Sequence, residues 1–160
     1  MNQPTAYVSI AGLALGLALL CAATYATAAG DTQLAPGLPE RAPNFRLADL
    51  DGHVHELYEL RDSKAVVLFV QMLGCPIVRQ SYPYLEEMRT KYASQGVTFL
   101  YVNSNPWETL ESVAAQCKEY SVTSPVLRDP RRALAHALGF RRSAESIVIE
   151  RSRRCCMSAM

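Results

Sequence analysis

The chain has 160 residues, room for one domain with a modest core. Hydrophobic residues make up 49% and charged residues 19%, the balance of an ordinary globular protein with an apolar extra. A formal net charge of +1 gives no electrostatic basis for a nucleic-acid partner.

The apolar extra is N-terminal. Ala6 to Ala29 carries no charged residue and closes on Ala26-Thr27-Ala28, a small-x-small pattern suited to signal peptidase. No Lys or Arg precedes the run, and it is about long enough to span a bilayer uncleaved. Residues 1–29 are therefore expected to be a signal peptide, giving an exported periplasmic or extracellular domain, or else a membrane anchor formed by residues 6–29. Cys21 follows Leu20, which is too large for the usual lipid-attachment motif, and reads as an apolar-segment cysteine.

Residues 30–41, with Pro36, Gly37 and Pro39, read as a linker. Phe45, Leu47 and Leu50 then precede Asp51-Gly52, and Val54, Leu57 and Leu60 follow, which predicts a hairpin. Lys64 to Val70 is a continuous, β-branched apolar run suited to a strand buried on both faces. From Pro76 to about Ser94, Ile77, Tyr84, Leu85, Met88 and Tyr92 recur at helical steps, with Pro83 expected to kink the helix. Gly96 stops it, and Val97 to Val102 is the next buried strand, so a parallel crossover is predicted. A second helix is expected from about Pro106 to Tyr120, a short strand over 124–127, a short helix over 130–138 and a strand over 146–149.

Cys75 stands at the junction of the first buried strand and the helix that Pro76 opens. Free backbone N–H groups and the positive end of the helix dipole stabilise a thiolate at such a place. Arg79, one turn on, adds positive charge on the same side. Cys75, Pro76 and Arg79 are the candidate catalytic set. Cys117 lies on the apolar face of the second helix, where core packing competes with a role as resolving thiol. The remaining pair, Cys155-Cys156, sits among arginines, and the cysteine spacing is neither a disulfide framework nor a zinc pattern. His53 and His55 alternate on a hairpin strand, a weak metal signal, and no metal or cofactor site is expected. Trp107 is expected to pack onto the body of the fold, and Asn103 and Asn105 to shape the loop beside the cysteine.

This order of elements, with a cysteine after the first buried strand and Pro83 eight residues later, resembles the thioredoxin-like redoxins, which include thioredoxins and peroxiredoxins of the alkyl hydroperoxide reductase type. The resemblance covers residues 42–150 and includes Ala42-Pro43-Asn44-Phe45, Gly74-Cys75-Pro76-Ile77 and Val102-Asn103-Ser104-Asn105. It implies a thioredoxin-like α/β fold, three layers around a central mixed sheet. It also implies a thiol-dependent oxidoreductase with redoxin or peroxiredoxin-like antioxidant activity, acting on a peroxide or disulfide and restored by an external thiol or thioredoxin-like electron donor.

The chain departs from the family pattern at three positions. Val78 replaces the second cysteine of Cys-x-x-Cys, so a single reactive cysteine is expected. Met72 and Leu68 replace the hydroxyl and proline that peroxiredoxins place before their cysteine. Ala144 stands where thioredoxin folds carry a cis-proline, and a cis peptide there costs about 3 kcal/mol. Residues 151–160 read as an irregular basic tail, with the last strand and terminal helix missing, as a frameshifted or truncated reading frame would leave them. A non-catalytic thioredoxin-like binding module, or an inactive truncated fragment, is the alternative.

Overall fold

The computed structural model describes residues 37–159. The expectations for residues 1–29, and for most of the linker, lie outside that range. Among the described residues, no helix is long and apolar enough to cross a membrane.

Strands β1 (Arg46–Ala48) and β2 (Val54–Glu56) pair antiparallel as the predicted hairpin. Asp49 holds its turn, accepting from the backbone N–H groups of Asp51 and His53 and pairing with His55 Nε2 at 2.8 Å. Asp49, Asp51 and His53 thus cluster because one carboxylate ties the turn. A 3-10 helix over Leu57–Asp62 leads into β3 (Ala65–Gln71). Then follow α1 (Pro76–Ala93), β4 (Val97–Asn103), α2 (Leu110–Glu119), β5 (Val126–Arg128), α3 (Ala133–Ala137) and β6 (Ser146–Glu150). The second helix starts later than its apolar pattern suggests, because Thr109 caps it by accepting from the Ser112 N–H.

The sheet has the order β5-β4-β3-β6-β7, with β3, β4 and β5 parallel and β6 antiparallel to β3. Two-residue periodicity divides its side chains between two cores. Val66, Leu68, Val70, Leu100 and Val102 face Phe45, Leu57 and Leu134, on the side of the hairpin and α3. Phe69, Tyr101 and Val126 face Val78 and Tyr82 of α1 and Val113 and Cys117 of α2. Three layers around a mixed sheet are as the sequence led us to expect.

The tail is a correction. Residues 151–154 turn, and Cys155–Ala159 form β7, antiparallel to β6, so the missing last strand is present. The turn has no glycine because Arg153 adopts the left-handed backbone itself, at φ 70°, with its guanidinium over the Tyr58 ring. Cys155 is buried, and its N–H donates to Glu40 O at 3.1 Å, while the Ala42 N–H donates to Arg153 O at 2.8 Å. The end of the expected linker is thereby tied to the expected tail. No helix follows β7 among the described residues.

Candidate active site

Strand β3 delivers the chain to the carboxyl edge of the sheet, and four residues must turn it into α1. Gly74 makes that turn at φ 71°, where a side chain would be strained although no atom lies within 4 Å of a Cβ built there. Polar groups from the α2 side pin the loop. The Leu73 N–H donates to Glu108 Oε1 at 3.1 Å and the Gly74 N–H to Gln116 Oε1 at 3.0 Å. Gln116 Nε2 donates to the Tyr82 hydroxyl at 3.0 Å, which donates to Gln71 Oε1 at 3.2 Å. Buried hydrogen bonds of this kind set the loop geometry, because breaking one strands a desolvated partner.

Cys75 is the N-cap of α1 and is half-buried. Pro76 follows at the first helical position, where its missing N–H forfeits no helical bond. Burial pulls the Cys75 pKa upward. The Ser143 hydroxyl, the backbone N–H groups of Val78 and Ile77, and the charge of Arg79 together outweigh it, leaving the thiol below its ordinary value of 9.0. The Ser143 hydroxyl donates to Sγ over 3.3 Å. Arg79 is exposed, its guanidinium 5.8 Å from the centre of the Tyr120 ring, so it acts on the sulfur through its charge.

Other candidates fall in different places. Val78 is fully buried in the α1 and α2 core, and fills the position a second motif cysteine would take. Cys117 is buried and not disulfide-bonded; burial, and then the nearby Glu86 charge, push its pKa up to about 11. Cys155 is buried in the opposite core, on the far side of the sheet. Asn103 and Asn105 shape the loop as expected, donating to Glu108 Oε2 and Oε1 at 2.6 and 2.7 Å. Trp107 overturns its expectation: it is 89% exposed, because the turn before α2 lifts it off the body.

Ser143, Gln116 and Glu108 escaped sequence reasoning. For Ser143 a signal existed, since it immediately precedes Ala144, the residue aligned with the loop opposite the cysteine. Ala144 has a trans peptide and φ 66°, and its N–H donates to Val70 O at 2.7 Å. A groove of about 290 Å³ opens beside Ser143, with Met72, Trp107 and Phe140 among its walls.

Residues 39–157 match the Redoxin family. The chain is 33% identical over 110 residues to the thiol-disulfide oxidoreductase ResA of Halalkalibacterium halodurans, covering 69% of this chain and 61% of that protein. It is 33% identical over 125 residues to the ResA of Bacillus subtilis strain 168, covering 76% and 67%. It thus spans 61–67% of the length of these two relatives. The crystal structure of a hypothetical protein, SMc02350 of Sinorhizobium meliloti 1021, matches with a TM-score of 0.70 at 32% identity, covering 77% of this chain and 70% of that one. With a mixed thioredoxin-like sheet, a cysteine opening α1, and a family match across nearly the whole described region, the chain belongs to the Redoxin family.

Proposed function

We propose that this domain is a thiol–disulfide oxidoreductase that cycles through one thiol, Cys75. The observation that carries the reading is Sγ at the start of α1, with the Ser143 hydroxyl 3.3 Å away and a pKa held low against its burial. The thiolate attacks one sulfur of a disulfide R–S–S–R′; the Cys75–S–S–R bond forms and R′S⁻ leaves. Val78 offers no second sulfur, and Cys117 is buried with a raised pKa. An external thiolate R″S⁻ therefore attacks the R sulfur, forming R–S–S–R″ and returning the Cys75 thiolate. A thioredoxin-like electron donor suits that second step, with Cys117 as resolving thiol only if α2 shifts. The apolar run 6–29 supports an exported or membrane-anchored setting.

A second reading rests on Ser143. Its hydroxyl can supply the peroxide-positioning donor that Met72 lacks, and Cys75–S⁻ would then attack ROOH, giving Cys75–SOH and, after protonation, ROH. Turnover of a small disulfide with a thiol donor, and of hydrogen peroxide with the same donor, separates the two. The leading reading expects disulfide exchange that Cys75→Ser reduces to background. Rates indistinguishable from Cys75→Ser on both oxidants would leave a non-catalytic binding module.

A further inference from the structure

The groove beside Ser143 carries basic side chains among its described walls. Arg132, Arg141 and Arg142 line it with Met72, Trp107 and Phe140, and among the described residues none that lines it is a carboxylate. Among the described residues, three nearby acids make other hydrogen bonds. Asp129 Oδ2 accepts from the Ser104 hydroxyl and the Ala135 N–H, both at 3.0 Å. Glu108 holds the cysteine loop, and Glu145 Oε2 accepts from the Arg141 backbone N–H at 2.7 Å. Trp107 is held with its ring out, its backbone N–H donating to Asn105 Oδ1 at 3.1 Å. Ser143 belongs to both places: it lines the groove and reaches Cys75 Sγ.

Resting on the oxidoreductase reading above, we propose that this groove selects small disulfides carrying carboxylates near the S–S bond. Guanidinium groups match carboxylates in geometry and charge, and the Trp107 and Met72 surfaces cover the apolar linker between carboxylate and sulfur. A volume of about 290 Å³ suits one arm of such a molecule, not a folded protein surface. A carboxylate seated against Arg132 and Arg141 leaves the disulfide directed past Ser143 to Sγ. The thiolate then forms the mixed disulfide with that arm, and the other arm leaves as a thiolate.

The test uses the full chain and three disulfides of similar size: 3,3′-dithiodipropionate, bis(2-hydroxyethyl) disulfide and cystamine. The dianion is expected to react at least about tenfold faster than the dication, and high salt should shrink that ratio. Arg132→Gln/Arg141→Gln should bring the ratio close to that of a free thiol, while the remote Arg61→Gln keeps it. Binding is read separately in Cys75→Ser, because Trp107 is the single tryptophan of the chain. Its fluorescence should change saturably with 3,3′-dithiodipropionate and not with cystamine. Exchange without charge preference, or a ratio that survives the double variant, overturns the selectivity. Saturable binding with no exchange of any disulfide overturns the oxidoreductase reading and leaves the groove's preference standing.

Discussion

The Ser143 hydroxyl lies 3.3 Å from Cys75 Sγ, although 68 residues separate the two. The loop that carries Ser143 is stitched to the end of β3: Ala144 donates to Val70 O at 2.7 Å and Val70 donates to Glu145 O at 2.9 Å. The same strand therefore positions the sulfur, through the turn at Gly74, and the hydroxyl that meets it. Neither position depends on a flexible side chain reaching across open solvent.

Removing that hydroxyl tests its contribution to the thiolate. A hydrogen bond to a charged group contributes about 1.5–3 kcal/mol, and 1.4 kcal/mol is a factor of about ten. Ser143→Ala should raise the Cys75 pKa and cut its alkylation rate near neutrality about tenfold, with the rate recovering at high pH. The pH profile of iodoacetamide labelling measures this. A profile superimposable on wild type would show that the N–H groups of Ile77 and Val78 and the Arg79 charge hold the thiolate without Ser143.

The strand–cysteine–helix junction was legible because apolar runs and a proline at the first helical position are local signals. The partners of Cys75 were not. Ile77, Tyr84 and Met88, the stripe that periodicity picks out on α1, are exposed, while Val78 and Tyr82 are buried in their place, and only the folded geometry shows that the polar ends of Tyr82 and Gln116 meet at the loop. Ser143 depends on Ala144 accepting a backbone conformation that favours glycine. β7 was hidden for the same reason, since Arg153 turns the chain where a glycine would have announced a hairpin.

Ala144 invites the family proline, and the structure argues against it. Proline holds φ near −65° and has no N–H, whereas Ala144 has φ 66° and donates to Val70 O. Ala144→Pro should destabilise the domain by about 3 kcal/mol and slow Cys75 labelling as Ser143 moves. Denaturant unfolding with parallel alkylation checks both. A variant as stable as wild type would mean that the loop can reach another conformation at little cost.

Glu86 gives the fold an acid dependence. Burial raises its pKa, but hydrogen bonds from Thr123, the Ser124 N–H, Arg89 and the Tyr101 hydroxyl outweigh that and hold it below the ordinary 4.5. A carboxyl depressed on folding contributes stability above its unfolded pKa and loses it as pH falls through the folded one. Glu86→Gln should cost about 2 kcal/mol at pH 7, with the gap to wild type closing below pH 4.5. A gap independent of pH would assign the loss to packing.

Cys117 carries the opposite sign. Its folded pKa of about 11 lies above the ordinary thiol value of 9.0, so the unfolded chain releases the proton first as pH rises. Its contribution to stability is therefore full below pH 9.0 and declines toward pH 11, and Cys117→Ala should remove that part of the slope. Tyr82, raised to about 12, and Cys156, raised to about 11, slope the same way, but the difference between wild type and variant isolates Cys117. The same burial predicts that iodoacetamide at pH 8 modifies Cys75 well before Cys117. A resolving role for Cys117 demands more: after one equivalent of oxidant, peptide mapping must find Cys75 joined to Cys117, which requires α2 to give up buried contacts of Cys117 and Val113. Finding Cys75 instead joined to the added thiol, with Cys117 still free, would make the external donor the partner that completes the cycle.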